Sequence, residues 1–193
     1  YYIDYQGVRI ISLDSSLDHE AQLPWLRRVL QDNPNRWTIL TFHHPVFSPA
    51  KERDNVALRA VWKPVFDEFR VDLVLNGHDH TYARTGDLRG GADVANIPSG
   101  YQQAYDPDIG TVYVVSVSGP KMYDISKGLY AKRVAENTQL YQVIEIDGWE
   151  LNFRAYTATG QLYDAFTLEK QEGKPNRLLE VLPPENRSPA VEE

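Results

Sequence analysis

WTILTFHHP at residues 37–45 and VDLVLNGHDH at residues 71–80 are the two segments from which the fold can be read. Each is a short apolar run, and each run leads into histidine: His43 and His44 after the first, His78 and His80 after the second. Between them Val56, Leu58, Val61, Val65, Phe66 and Phe69 recur at the spacing of an amphipathic helix. A strand, a helix and a second strand in that order make a β-α-β unit, whose strands run parallel. Short, uniformly apolar strands are what a parallel sheet covered on both faces requires. Residues that follow the two strands therefore leave the sheet at the same edge, where His43 is expected to meet His78 and His80. Pro64 falls inside the helix and is expected to kink or split it.

Working outward, residues 1–5 and 8–13 are β-rich runs separated by Gln6-Gly7, the spacing of a hairpin. Leu23, Leu26 and Leu30 mark a helix that starts near Pro24 and stops before Asn33-Pro34-Asn35. After Arg84 a stretch running through Gly86, Gly90, Gly91, Pro98, Gly100 and Pro107 to Gly110 predicts a long loop. Residues 111–118 predict a strand. Residues 140–146 and 149–157, joined by Asp147-Gly148, predict a hairpin, and residues 162–168 follow Thr159-Gly160 as a further antiparallel strand. The fold class is thus α/β, with a mixed sheet N-terminally and an antiparallel sheet C-terminally. Residues 1–169 are expected to form one domain portion. Residues 170–193 are expected to be a polar, proline-containing tail, pinned to the surface through Leu178, Leu179, Val181 and Leu182.

With 193 residues, 42% of them hydrophobic and 24% charged, the chain can bury a substantial core. A net charge of −7 argues against nucleic acid or an anionic membrane as partner, since both need clustered Lys and Arg. The absence of cysteine excludes disulfides, thiolate metal sites and a cysteine nucleophile. No apolar stretch approaches the ~20 residues that span a bilayer. The chain opens on Tyr1 inside a strand without an initiator methionine, so it is expected to be a piece of something longer.

His78 and His80 are spaced i, i+2, which in an extended segment puts both rings on one side, and Gly77 is expected to let the backbone turn sharply beside them. Neutral imidazoles converging at the carboxyl edge of a sheet suit a divalent ion of the zinc, iron or manganese kind. His44 adjoins His43 and should point away from it, either lining a pocket or packing. His19, in a polar turn, predicts an ordinary surface residue. Asp79, between His78 and His80, is expected either in solvent or hydrogen-bonded behind the ligands.

Phe42-His43-His44-Pro45 and Asn76-Gly77-His78-Asp79-His80-Thr81-Tyr82-Ala83-Arg84 together resemble the last two metal motifs of the calcineurin-like metallophosphoesterases, in their purple-acid-phosphatase-like branch. The Gly-His-x-His-x-Tyr-x-Arg string is the specific part, and the resemblance covers roughly residues 1–169. It implies a partial, C-terminal portion of a four-layer α/β/β/α sandwich that hydrolyses phosphate esters with two metal ions drawn from iron, zinc or manganese. By position, His43 and His78 would bind one metal and His80 the other. Tyr82 and Arg84 are expected either to steer the substrate phosphate or to orient the histidine loop, against the ordinary reading of an arginine after a strand as a surface residue. The branch's general-acid histidine is replaced here by Glu52 and Arg53, which leaves His44 as the candidate catalytic donor.

The family's earlier motifs, an Asp-x-His or Asp-x-Gly, a Gly-Asp pair and an Asn-His, are absent. The isolated chain is therefore expected to hold metal weakly or not at all and to be nearly inactive, with a missing N-terminal segment of the same protein as its partner. Exposed sheet edges are expected to favour oligomers. The alternative is a non-catalytic binding or structural domain of the same fold. Location stays open, with the resemblance leaning to an exported or periplasmic protein.

Overall fold

Tyr2–Tyr5 (β1) and Val8–Ser12 (β2) form the expected antiparallel hairpin. Gln6 and Gly7 close it with φ of 48° and 82°, the positive values a tight two-residue turn needs. This computed structural model describes residues 1–88, 96–126, 128–180 and Pro183. Gly90, Gly91, Val181 and Leu182 lie outside the described residues. From β2 the chain passes through α1 (Leu23–Gln31) to β3 (Trp37–Phe42), then through α2 (Val56–Glu68) to β4 (Leu73–Asn76). Both crossovers return the chain to a parallel neighbour, β2 beside β3 and β3 beside β4. Tyr82–Arg84 (β5), Val112–Val115 (β6) and Arg133–Ala135 (β7) complete a seven-stranded sheet in the order β1-β2-β3-β4-β6-β5-β7. Only β2, β3, β4 and β6 are mutually parallel, so the sheet is mixed.

α2 stays a single helix across Pro64. The Ala60 carbonyl that Pro64 deprives of a donor lies on the exposed side, where water can satisfy it, so no break is forced.

Period-two alternation on β3 divides the core in two. Leu40 and Phe42 face α1 and α2, packing with Leu26, Trp62 and Phe66, whereas Trp37 and Ile39 face the second sheet. That second sheet is Leu140–Asp147 (β8), Glu150–Thr157 (β9), Leu162–Glu169 (β10) and Arg177–Glu180 (β11), in the order β11-β10-β9-β8. Its inner face carries Leu140, Leu151, Phe153, Ala155, Phe166 and Leu168 against Val112 and Val114. The described layers are therefore helix, mixed sheet, antiparallel sheet, and among the described residues both α-helices cover the same face. None of the described helices is long and apolar enough to cross a membrane.

Two details differ from expectation. The β8–β9 turn is Gly148-Trp149, one residue later than Asp147-Gly148, because Asp147 pairs with Glu150 and Gly148 takes the positive φ of 54°. The stretch after Lys170 also contributes a strand, β11, where a tail is expected. Leu178 packs on the inter-sheet core, and Asn176 donates to the buried Asp72 at 2.6 Å, which Lys170 also bonds.

Asp164 is the exception on the inner face of β10, a fully buried carboxylate among apolar neighbours. Two residues of β5 that share one face bind it. Arg84 forks onto it through Nε at 2.7 Å and Nη2 at 2.9 Å, and the Tyr82 hydroxyl donates at 2.7 Å. Arg84, itself fully buried, also donates through Nη1 to Glu180 on β11. This cluster ties the two sheets together. Asp164→Ala would take from the buried Arg84 its two-pronged carboxylate partner, leaving Glu180 alone to answer the charge, and is expected to lower stability by about 3 kcal/mol, measured by urea unfolding. A loss under about 1 kcal/mol would contradict a structural role for the pair.

Candidate metal centre

Phe42 pairs with Asn76 at the last rung of the β3–β4 ladder, so the residues after both strands start side by side. The Gly77 N–H donates to the His43 carbonyl at 3.1 Å, and the Asn76 amide donates to the Phe42 carbonyl at 3.0 Å. These bonds hold the two departing loops together. Gly77 is the expected hinge, yet the left-handed residue is His78 itself, with φ of 63°. A three-residue turn, closed by the Asp79 N–H on the Gly77 carbonyl at 2.7 Å, swings the His78 ring toward β3. Such strain at a non-glycine residue concentrates where function fixes geometry.

The turn brings His78 Nδ1 to 2.9 Å from His43 Nε2. The His44 ring centroid lies 4.3 Å from that of His78 and 5.0 Å from that of His43. One nitrogen from each of His43, His44 and His78 falls within a mutual 4.8 Å, and this is the one such group of potential ligands among the described residues. His44 does not point away from His43: Ser15 Oγ accepts its backbone N–H and contacts its Nδ1, both at 2.9 Å, which leaves Nε2 for the shared space. An open cavity of about 540 Å3, bordered by Ser12, Asp14, Ser15, Trp25 and His43, adjoins the cluster.

His80 stands apart. Its Nδ1 contacts the Lys121 carbonyl at 2.8 Å and its ring stacks on Tyr123 at 4.6 Å. Tyr82 and Arg84 are both fully buried, and their polar ends are engaged by Asp164 on the inter-sheet side. Asp79 is not in solvent. It is buried and bonded by Ser48, with Arg53 Nη1 3.6 Å away. His19 contacts the Ser15 carbonyl and packs edge-on to Trp62. Arg53, which with Glu52 stands where the resemblance places the branch's proton donor, donates to His78 Nε2.

Electrostatics follow from crowding. Burial lowers the pKa of His44, with His43 adding to the effect. His78 is pushed down to about 4, first by burial and then by His44, Arg53 and His43 around it. Burial raises the Asp79 carboxyl despite Ser48 and Arg53. At neutral pH the His44 and His78 rings are therefore uncharged nitrogen donors, the form that binds first-row cations.

The imidazole chemistry fits a metal. Residues 1–82 match the family described as calcineurin-like phosphoesterase. An uncharacterised protein of Mycobacterium tuberculosis is 35% identical over 75 residues, 36% of this chain and 14% of that protein. Purple acid phosphatase 1 of Ipomoea batatas is 29% identical over 93 residues, 44% of this chain and 20% of that enzyme. The chain thus spans a small part of these curated relatives' length.

Purple acid phosphatase PPD1 from yellow lupin (Lupinus luteus) seeds superposes with a TM-score of 0.67 at 19% identity, over 88% of this chain and 32% of that one. GAP50, the anchor in the inner membrane complex of Plasmodium, superposes with a TM-score of 0.66 at 14% identity, over 89% and 53%. The fold is shared with both, and the resemblance carried by residues 42–45 and 76–84 is borne out.

Because the folded-state pKa of His78 lies below its unfolded value of 6.5, the unfolded chain takes up that proton first as pH falls. Stability linked to His78 is complete above about pH 6.5 and declines as pH drops toward 4. An NMR titration should show the His78 ring neutral at pH 5, while a midpoint near 6.5 would contradict the desolvated nest.

Proposed function

We propose that this chain is the C-terminal portion of a metal-dependent phosphoesterase, with His43, His44 and His78 holding a divalent ion of zinc, iron or manganese. The observation that carries this reading is the convergence of three imidazole nitrogens within 4.8 Å where β3 and β4 end. A cation there would polarise a phosphoryl oxygen and acidify a water, the chemistry phosphate-ester hydrolysis needs. His44 lies close enough to serve as the third nitrogen ligand, a role this geometry favours over proton donor. Ser15 fixes its ring, and the left-handed turn at His78 holds the other ring in place. His80 lies outside the nest and is assigned to a second metal.

Completing that second site requires carboxylates, and no carboxylate joins the imidazole group among the described residues. An N-terminal segment of the same protein is the proposed source. Two features support such a partner. A cavity of about 420 Å3 opens between the sheets, lined by Tyr5, Val8, Ile39, Ile144 and Ile146. Both flanking edges are exposed, with Tyr2, Ile3 and Tyr5 on β1 and Tyr141 and Val143 on β8. Unpaired apolar edges of this kind invite a further strand or, failing that, a second copy of the chain.

A second reading, a binding domain of the same fold with no chemistry, is favoured by the carboxylate-free nest. Hydrolysis of an aryl phosphate separates the two. The isolated chain is expected to be nearly inactive, and supplying the upstream segment, fused or in trans, should bring metal-dependent turnover that His78→Ala lowers at least ~100-fold. Absence of turnover by the longer protein with zinc, manganese and iron each tested would favour the binding domain.

A further inference from the structure

We propose that Arg53 is a gate on the imidazole nest: its guanidinium holds His78 in a form closed to metal, and a cation enters as Arg53 moves across to Asp79. The proposal rests on the reading of His43, His44 and His78 as a cation site.

Hydrogen-bond direction makes the argument. A guanidinium has donors only, so the Arg53 Nη1 contact with His78 Nε2 requires a lone pair on Nε2. The neutral His78 ring then carries its proton on Nδ1, which faces His43 Nε2 at 2.9 Å and donates to it. A chain of two donations thus occupies the ligand nitrogens of both rings. A cation approaching Nε2 meets the arginine charge directly. A cation approaching Nδ1 displaces the proton to Nε2, where it would oppose the arginine donor. Either route requires Arg53 to leave.

Arg53 is held in place by a built turn. Glu52 before it has φ of 59°, the Lys51 N–H donates to the Asp124 carbonyl at 3.0 Å, and Ala50 bridges Ile125. The guanidinium carbon sits 4.7 Å from the Tyr123 ring centroid. A second berth is within reach. Asp79 Oδ1 is 3.6 Å from Arg53 Nη1, too far for a hydrogen bond, and it is a buried oxygen with no hydrogen-bond partner among the described residues. Ser48 takes the other oxygen. A modest rotation of the arginine would satisfy Oδ1 with a charge-assisted bond and free His78 in the same movement.

Zinc titrated calorimetrically into the 193-residue chain at pH 7 tests this. Arg53→Met is expected to bind about tenfold tighter than the parent, and Asp79→Asn more weakly, with His78→Ala abolishing the binding in either background. Nitrogen-15 spectra of the metal-free chain should show His78 protonated on Nδ1, and should show the Nε2 signal shift in Arg53→Met. Equal zinc affinity of the parent and Arg53→Met, or a His78 ring protonated on Nε2, would overturn the gate and leave the nest standing. Zinc binding by none of these proteins would overturn the nest and the gate with it.

Discussion

In-register parallel pairing of β3 with β4 is the constraint on which the rest depends. Ile39 opposite Leu73 and Phe42 opposite Asn76 set the level at which both chains leave the sheet. A slip of one residue would invert every side chain on β4, sending Val74 out of the helix-side core and Leu73 out of the inter-sheet core. The same slip would carry the His78 turn away from His43. Hydrophobic burial therefore fixes the register, and the register places the imidazoles. The site inherits its geometry from a core whose packing has nothing to do with its chemistry.

Much of this was legible in the residues alone, and the reason is local. Gln6-Gly7 between two β-rich runs, Leu23, Leu26 and Leu30 at helical spacing, and the alternation along β8 to β10 each state a period that one element can satisfy by itself. The meeting of His43 with His78 followed from one topological rule, that strands of a β-α-β unit run parallel. What escaped were features decided by distant partners. β11 exists because Leu178, expected to pin a tail, packs on the inter-sheet core and because Glu180 finds Arg84, a partner nearly a hundred positions earlier that nothing in the local sequence announces. The short β7 strand likewise depends on β5 as its template.

Site residues divide along the same line. His43 and His78 are placed by their own strands, whereas Tyr82 and Arg84 carry motif-like spacing but are claimed by Asp164, 80 and more residues later in the chain. A buried carboxylate takes a guanidinium within reach, because leaving either charge unpaired in the core costs more than any surface role returns. Arg53 shows the converse. Nothing in its neighbourhood of Lys51, Glu52 and Asp54 marks it as more than a charged loop, and its importance arises only when the 50–53 turn is laid against 123–125 and beneath His78. Spacing identifies groups that could act, and only packing decides which remain available.

The two sheets differ in how far apart in the chain their partners lie, and that has a kinetic reading. β8, β9 and β10 form a meander of neighbouring strands, cheap in loop-closure entropy and suited to early formation. Its attachments to the larger sheet are of another order. Trp37 Nε1 reaches the Gly148 carbonyl across 111 residues and Asn176 reaches Asp72 across 104. Docking of the meander is thus expected to be the slow, late event of assembly, and until it happens Asp72 and Asp164 are acids without the partners that justify burying them. Polar groups poised in this way act as a proofreading device, since a sandwich closed in the wrong alignment would trap both charges unanswered and reopen.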